Sequence, residues 1–238
     1  MSLRIALVTG ASRGMGREIA LRLADEVSGV AIHYFSRREE AQEVAAAVRA
    51  KGKLSAVFRA DLTKKAQAAG LIKKVEEKFA RLDVLVNNVG PFLVKPWDQL
   101  EVSDWDRVLR GNLLGPYFCI KAALAGMRKR RYGRIINIGY SRAEQLTSFP
   151  TIAPYAAAKT GLLILTRTAA VSEAANGITA NMVSPGLIRG GVLPQARDLS
   201  DSQFGTFADV AEAVAFLASD RAAAVTGADL IVAGTWKM

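Results

Sequence analysis

Cysteine is almost absent from this sequence of 238 residues. Cys119 is the only one, so an intrachain disulfide is excluded and a reducing compartment is expected. Long hydrophobic runs are absent as well. The apolar stretch at residues 5–8 is too short for the core of a signal peptide, and no uninterrupted apolar run approaches the ~20 residues of a membrane span. These absences predict a soluble, cytoplasmic protein without a membrane partner.

Metal-binding and nucleic-acid motifs are absent too. Histidine occurs once, at His33, and the surrounding pattern predicts a strand residue there rather than a catalytic base. No zinc-ligand spacing and no recognised nucleic-acid motif accompany the net charge of +10. We therefore expect neither a metal site nor a nucleic-acid partner.

The basic charge is densest at residues 128–131, which read Arg-Lys-Arg-Arg. Two interpretations are open. Cations at the C-terminus of a helix interact favourably with the helix dipole. Alternatively, the cluster is a docking surface for an acidic partner, such as an acidic carrier protein.

Linkers and low-complexity segments are also missing, and this absence indicates one domain over residues 1–238. Half of the residues are hydrophobic, which suffices for a large core. Strand patterns alternate with helical patterns along the chain. This alternation predicts an α/β fold: a doubly wound Rossmann domain whose seven-stranded parallel sheet carries helices on both faces. The predicted strands are 4–9, 30–34, 54–59, 84–86, 134–138, 179–183 and 229–232; a first helix follows Gly16, and the others are 39–50, 66–79, 105–127, 155–175 and 210–218.

A glycine-rich stretch joins the first predicted strand to the first helix. Glycines permit a tight turn and let a phosphate approach the backbone, while the helix N-terminus attracts the anion. The spacing G-x-x-x-G-x-G differs from the general dinucleotide fingerprint, but its place between strand and helix predicts a dinucleotide site. The residues concerned are Gly10, Ser12, Arg13, Gly14 and Gly16.

The end of the second predicted strand has no carboxylate before Glu39. An acidic residue there would bind the ribose 2′-hydroxyl of NAD, whereas arginine suits the 2′-phosphate of NADP. Arg13, Ser36 and Arg37 would surround such a phosphate, and arginine binds phosphate in a bidentate fork. We therefore predict NADP(H) as cofactor. The alternative is that Arg37 merely begins an exposed helix.

Tyr155 and Lys159 lie four residues apart at the start of an Ala/Leu-rich run. Positions i and i+4 share one face of a helix, and Pro154 suits its first turn. A free phenol has a pKa of about 10, and a neighbouring cation lowers it. The pair is thus a candidate for proton transfer, although a packed tyrosine beside a solvated lysine would give the same spacing.

These motifs together make the chain similar to the short-chain dehydrogenase/reductase family over essentially its full length. Within the family it most resembles the 3-oxoacyl-(acyl-carrier-protein) reductases. The resemblance rests on motifs in the family's order: 9–16, Asp61-Leu62-Thr63, Asn87-Asn88-Val89-Gly90, Asn112, 133–139, 155–159 and Pro185-Gly186-Leu187-Ile188.

The resemblance implies a role for each matched residue. Tyr155 would protonate the carbonyl oxygen, and Lys159 would hold the nicotinamide ribose and lower the pKa of Tyr155. A serine after the fifth strand would bind the carbonyl and stabilise its developing charge. Asn112 would anchor a water that links Lys159 to solvent. The cofactor cleft would be lined by Asp61, Leu62, Asn88, Gly90, Pro185, Gly186 and Ile188.

Four departures from the family pattern stand out. Val89 replaces the usual alanine beside the cofactor. Tyr140 stands where close relatives have the serine, so we assign that role to Ser141 rather than to the more distant Ser148. Gly190 replaces the usual threonine, whose hydroxyl would reach the cofactor. The substrate lid, at about 189–207, is short and implies an open site.

The implied activity is NADPH-dependent reduction of a carbonyl to an alcohol, on a small-molecule or acyl-thioester substrate, with an acyl carrier protein as a possible partner. The alternatives are reduction of another carbonyl or a pteridine-type compound, and, more distantly, dinucleotide binding without catalysis. The residues expected around the substrate are apolar and favour an apolar or aromatic carbonyl compound: Phe92, Leu93, Trp97, Leu146, Phe149 and Leu193. An apolar excess on the helix at 155–175, at Leu162, Leu163, Leu165 and Val171, predicts a homotetramer or a dimer.

Overall fold

Seven parallel strands form the centre of the computed structural model, which describes residues 3–191 and 203–235. Their order in the sheet is β3-β2-β1-β4-β5-β6-β7. The chain therefore reverses direction across the sheet between β1 and β4, where Val8 lies beside Ile32 on one side and Val86 on the other. The strands are β1 Ile5–Val8, β2 Gly29–Tyr34, β3 Leu54–Arg59, β4 Val84–Asn87, β5 Gly133–Ile138, β6 Ile178–Pro185 and β7 Asp229–Val232.

In the part of the chain that the structure describes, seven α-helices cover the two faces of this sheet, one more than the six that the sequence pattern predicts. Strands buried on both sides read as continuous apolar runs because neither face meets water, and every residue of β1 and β4 is buried. The helices are α1 Gly14–Leu23, α2 Arg38–Ala50, α3 Lys65–Phe79, α4 Val102–Leu109, α5 Gly115–Arg130, α6 Ala153–Glu173 and α7 Phe207–Ala218.

Two large hydrophobic clusters lie on opposite sides of the sheet, and a small third cluster packs α6 against β6. One packs α1, α2 and α7 against β1 and β2, and it includes Ile19, Leu23 and Val214. The other packs α3 and α5 against the opposite face and includes Leu71 and Met127. Because both faces are covered, the carboxyl ends of the strands form the accessible edge of the sheet, which is where open α/β sheets bind ligands.

The helix predicted at 105–127 is wrong in its start and in its continuity. The structure begins α4 at Val102, where Glu101 and Asp104 form a capping box that satisfies two free backbone donors. A π-helical turn, Arg110–Leu114, then separates α4 from α5. The apolar periodicity could not reveal this turn, because one extra residue within a helix shifts the pattern by less than a third of a turn.

The basic cluster at 128–131 is largely tied to the rest of the chain. Arg128 forms an ion pair with Glu173 on α6, with Nε 2.8 Å from Oε2. Arg130 donates to the carbonyl of Leu82, and Arg131 donates to the carbonyl of Ala175 at 3.0 Å. These contacts join the C-terminus of α5 to neighbouring elements. Arg128 and Arg130 lie in the last turn of that helix, as the interpretation based on the helix dipole expects.

Neither a membrane-spanning helix nor a metal-binding group is found in residues 3–191 and 203–235. No helix there is long and apolar enough to cross a bilayer. No three or more His, Cys, Asp and Glu side chains in this part of the chain are grouped to hold a metal ion.

Candidate active site

Tyr155 and Lys159 lie together at the carboxyl edge of the sheet. Helix α6 begins at Ala153, with Pro154 in its first turn, so both side chains project from its first two turns. Lys159 is 3% exposed, and its Nζ donates to the carbonyl of Ile138, at the end of β5, at 2.6 Å. The same Nζ lies 5.6 Å from the centroid of the Tyr155 ring. The four-residue spacing thus becomes a real contact.

Burial shifts the pKa of both groups toward the neutral forms. The pKa of Lys159 falls from 10.5 to about 7 because its ammonium group is desolvated. Burial raises the pKa of Tyr155 above its ordinary value, and the neighbouring Tyr140 raises it further. Both causes move the pKa of Tyr155 in the direction opposite to the one that the family resemblance implies for a neighbouring lysine. The lowering of this pKa by Lys159 stays a prediction.

Asn112 lies in the π-helical turn between α4 and α5. Its Nδ2 donates to the carbonyls of Pro91 at 2.9 Å and Val108 at 3.1 Å. Within the described residues, its Oδ1 is buried without a hydrogen-bond partner. A buried amide oxygen of this kind accommodates a bound water or a ligand donor. Any Cβ at Gly90 would overlap this amide, so Gly90 leaves the room that Asn112 occupies.

Ser141 follows β5 and is fixed by its backbone. Its N–H donates to the carbonyl of Pro185 at 3.1 Å, which extends the pairing of β5 with β6. Its Oγ is shielded from solvent and has no hydrogen-bond partner among the described residues. The alternative serine, Ser148, lies on the exposed part of the loop between β5 and α6.

Aromatic rings surround Tyr155. Phe92 meets it edge-on, with centroids 4.8 Å apart and planes at 90°. Tyr140 contacts it at 5.6 Å, and Phe149 lies 6.2 Å from Tyr140 on the far side. Trp97 and Leu146, also expected near the substrate, are 65% and 91% exposed. Leu193 lies outside the described residues.

The glycine-rich turn is tightly closed. Gly10 and Gly14 have φ of +63° and +53°, in the left-handed region that favours glycine. A Cβ on Gly16 would overlap the carbonyl oxygen of Gly10, so α1 starts in direct contact with the turn. Arg13 is exposed at the N-cap of α1, beside the half-buried Ser12.

The comparisons with known proteins agree with this arrangement. A family profile described as Enoyl-(Acyl carrier protein) reductase matches residues 10–235. A 3-oxoacyl-[acyl-carrier-protein] reductase of Staphylococcus aureus is 39% identical over 241 residues, covering 96% of each chain. The chain belongs to the short-chain dehydrogenase/reductase family. It is therefore an oxidoreductase acting on CH–OH or C=O groups, and this family uses a nicotinamide dinucleotide.

Two further relatives have names that differ from that of the Staphylococcus aureus reductase. A subunit of (2S)-[(R)-hydroxy(phenyl)methyl]succinyl-CoA dehydrogenase from Thauera aromatica is 36% identical over 244 residues, covering 97% of this chain and 95% of the relative. The crystal structure of a blue fluorescent protein from a metagenomic library, in complex with NADPH, superposes with a TM-score of 0.89. It is 35% identical and covers 99% of this chain and 98% of that one.

The residues at the carboxyl edge fit a nicotinamide dinucleotide of the short-chain dehydrogenase/reductase type. The glycines at 10, 14 and 16 carry no side chains at the start of α1, and a phosphate needs such room in order to reach backbone N–H groups. Two further polar groups lie beside the segments that follow β4 and β5: the buried Oδ1 of Asn112, which has no partner among the described residues, and the buried amine of Lys159. These groups suit the polar ribose and amide parts of such a molecule.

Asn88 and Thr9 join β1 to β4 where the strand order reverses. Thr9 Oγ1 accepts from the N–H of Asn88 at 2.8 Å and donates to the carbonyl of Val86 at 3.2 Å. Asn88 Nδ2 donates to the carbonyls of Thr9 and Gly10 at 2.9 and 3.2 Å. Asn88 thus holds the glycine-rich turn itself. A Cβ on Gly10 would lie 2.9 Å from Val89, so Val89 crowds this turn, as its departure from the pattern suggests.

His33 supports the glycine-rich turn, a structural role that the sequence did not predict. It is a buried strand residue, as predicted, but its Nδ1 accepts from the N–H of Gly10 at 3.0 Å. Its Nε2 lies 3.1 Å from the carbonyl of Ala60, which fixes the proton on Nε2. Burial lowers the pKa of His33 to about 4. The only signal in the sequence was a polar residue within an apolar strand.

A second missed group fixes α6 to the sheet. Asn87 Nδ2 donates to Asn137 Oδ1, and Asn137 Nδ2 donates to Thr166 Oγ1, both at 2.8 Å. All three side chains are buried. This relay from β4 through β5 holds the helix that carries Tyr155 and Lys159.

The end of β2 places Ser36 and Arg37 on the surface beside the glycine-rich turn, where Ala11 N–H donates to the carbonyl of His33 at 2.9 Å. Arg37 forms an ion pair with Glu40 at 2.7 Å. Part of its charge is thus already neutralised, which the sequence pattern did not predict.

Asp61 and Leu62 follow β3. Asp61 Oδ1 accepts from the N–H and hydroxyl of Thr63, at 3.0 and 2.7 Å, in a turn that precedes α3. The side chain of Leu62 is 5% exposed and belongs to the core, so a ligand could reach only its backbone.

The segment after β6 leads to the predicted lid. Gly186 N–H donates to the carbonyl of Val232, and Ile188 is buried in the core beneath it. Gly190 has φ of +84°, a conformation in which threonine would be strained. The left-handed backbone conformation at this position therefore favours glycine, and the threonine hydroxyl of the family pattern is lost with it. Residues 192–202 of the lid lie outside the described residues.

Proposed function

We propose that this chain reduces the keto group of an acyl thioester to an alcohol with NADPH, in the manner of a 3-oxoacyl-(acyl-carrier-protein) reductase. The observation that carries the proposal is the contact between the half-buried Tyr155 and the buried Lys159 at the carboxyl edge of the sheet. The relative from Staphylococcus aureus supports the substrate class.

Tyr155 is the proposed acid. Its raised pKa keeps the phenol protonated at neutral pH, so it can donate its proton to a carbonyl oxygen as that oxygen gains charge. Lys159 and Asn112 would supply the next proton from solvent through water. Lys159, with a pKa of about 7, can hold or release a proton near neutrality. Ser141 is the proposed second donor to the carbonyl.

The proposed cofactor is NADP(H), which supplies the hydride when bound. Arg13, Ser36 and Arg37 would hold its 2′-phosphate, because they lie at the junction of the glycine-rich turn with the end of β2. Arg37 would exchange its ion pair with Glu40 for the more strongly charged phosphate. The remaining proposed contacts are with Gly10, Ser12, Gly14, Gly16, Asp61, Leu62, Asn88, Gly90, Tyr155, Lys159, Pro185, Gly186 and Ile188.

A second candidate substrate class is a flat, aromatic carbonyl compound. The ring contacts of Phe92 and Tyr140 with Tyr155 favour it, since such rings stack well on planar ligands. The Thauera aromatica relative, whose name specifies a phenyl-bearing thioester, is consistent with this class.

We also propose a homo-oligomer, although fewer apolar residues of α6 are exposed than the sequence pattern predicts. Leu162 and Leu163 are buried within the chain against Met182, so they do not face a partner. Ile164 and Val171 are 64% and 83% exposed along one face of α6. We expect Ile164→Glu with Val171→Glu to lower the mass measured by sedimentation, because a charged pair would oppose closure of the interface. An unchanged mass would place the interface elsewhere.

An acyl carrier protein remains the proposed partner, but residues 128–131 are not its proposed docking surface. Three of these cations already bind Glu173 and the carbonyls of Leu82 and Ala175.

The test of the proposed function is NADPH oxidation, followed at 340 nm, with acetoacetyl-CoA beside a panel of pterins, quinones and aryl ketones. Turnover of the thioester, with NADH much poorer, supports the proposal. Turnover of aryl ketones alone supports the second candidate. Failure of the whole panel, with NADPH binding retained, would contradict both and favour dinucleotide binding without catalysis.

A further inference from the structure

Tyr140 follows Gly139 directly at the carboxyl end of β5, and its ring stands against that of Tyr155. The centroids are 5.6 Å apart and the planes are inclined by 66°. On the other side, Phe149 lies 6.2 Å away at 64°. Tyr140 is half-buried between these two rings, which restricts its side chain to the neighbourhood of the proposed acid.

The hydroxyl of Tyr140 is a neutral donor near neutral pH. Burial raises the pKa of this phenol, while the nearby charge of Arg142 opposes that rise. A protonated phenol has an O–H to donate. Arg142 is itself held in place, because its Nε donates to Gln145 at 2.5 Å and its guanidinium lies 5.0 Å over the ring of Phe149.

Ser141 and Tyr140 are both half-buried, and the Oγ of Ser141 is shielded from solvent. Tyr140 differs from Ser141 in that its ring contacts the ring of Tyr155. Two preorganised donors at one oxygen stabilise the charge that develops there better than one.

We propose that Tyr140 is a second catalytic phenol, which donates a hydrogen bond to the substrate carbonyl oxygen beside Tyr155, and that Arg142 positions it. This inference rests on the proposed carbonyl reduction. No covalent bond to Tyr140 forms or breaks. Its O–H donates a hydrogen bond to the substrate oxygen while Tyr155 transfers the proton.

The experiment uses the full chain, NADPH and the carbonyl compound from the panel that the unaltered protein reduces fastest. Tyr140→Phe keeps the ring contacts and removes only the hydroxyl. We expect kcat to fall roughly 10²-fold, as when one oxyanion donor is lost, with KM and the NADPH Kd within about threefold of the unaltered values. Tyr132→Phe is the matched control, since its hydroxyl faces Asp220 at 3.3 Å, far along the chain from the site, and it should leave kcat unchanged.

Arg142→Met tests the positioning role. It should lower kcat less than Tyr140→Phe does, and it should add nothing in the Tyr140→Phe background, because residues acting through one another are not additive. Independent losses in this cycle would overturn the role of Arg142. Ser141→Ala, measured in parallel, shows whether the serine shares the oxygen.

The outcomes separate the two proposals. If the unaltered protein reduces a carbonyl and Tyr140→Phe retains its kcat, the second phenol is wrong and the proposed function stands. If the unaltered protein reduces no carbonyl while it binds NADPH, the proposed function fails and this inference fails with it.

Discussion

The proposed cofactor half and the proposed substrate half of the site are built in different ways. Around the glycine-rich turn, buried polar groups hold the backbone: Thr9, Asn88 and His33 each bond to a strand or to the turn itself. Around Tyr155, the contacts are between aromatic rings, several of them partly exposed, on loops that follow β4 and β5. The backbone of the glycine-rich turn is therefore held in place without a ligand. The loops around Tyr155 can vary in sequence without disturbing the sheet.

This difference explains where the departures from the family pattern fall. Tyr140 and Gly190 lie on the substrate side, on segments that leave the sheet. Val89 is the one departure beside the glycine-rich turn, and there the close approach to Gly10 limits the side chain that fits. A loop on a rigid scaffold is free to change specificity, but a backbone locked by buried hydrogen bonds is not.

The largest effect on activity is expected from a substitution of Tyr155. Tyr155→Phe removes the proposed acid and keeps the ring, so carbonyl reduction should fall roughly 10³–10⁴-fold while the NADPH Kd, measured by fluorescence, stays nearly unchanged. Retained turnover would remove Tyr155 from its role, and a lost affinity would mean that the two halves are not independent.

A smaller effect is expected at the entrance to the cofactor half. Arg13→Ala with Arg37→Ala removes two charge-assisted contacts to the 2′-phosphate, so the NADPH Kd should rise roughly 10²–10³-fold, with little change for NADH. Arg38→Ala is the matched control, because Arg38 is exposed one residue further along the chain. Equal losses for the two cofactors would contradict the phosphate assignment.

The smallest effect concerns the stability of the cofactor half. The folded-state pKa of His33, about 4, lies below its ordinary value of 6.5, so the unfolded chain takes up a proton first as the pH falls. Stability should be fully present above pH 6.5 and fall by about 3 kcal/mol toward pH 4. His33→Gln should flatten this part of the profile.

The measurement is denaturant unfolding of both proteins between pH 4 and pH 7.5. Parallel profiles would show that His33 is not the titrating group. NADPH affinity measured over the same range adds a second comparison, since protonation of Nδ1 removes the acceptor for the N–H of Gly10.

Much of the fold was predictable from sequence because its signals are local. Residues in β1 and β4 are apolar throughout since both faces of the sheet are covered, and β7 lies at the predicted 229–232. The π-helical turn at 110–114 was not predictable, because its signal is a register shift within a helix rather than a change of composition. The burial of Leu162 and Leu163 was missed because α6 packs on β6 more deeply than a single apolar stripe indicates.

The sequence by itself determined the order of strands and helices, the glycine-rich turn and the pairing of Tyr155 with Lys159, because each depends on neighbours within a few positions of one another. Only the tertiary structure decided the burial of Lys159, the hydrogen bond from the turn to His33 and the place of Tyr140 against Tyr155. Those features depend on burial and on contacts between segments far apart in the chain, and neither can be predicted from neighbouring residues in the sequence.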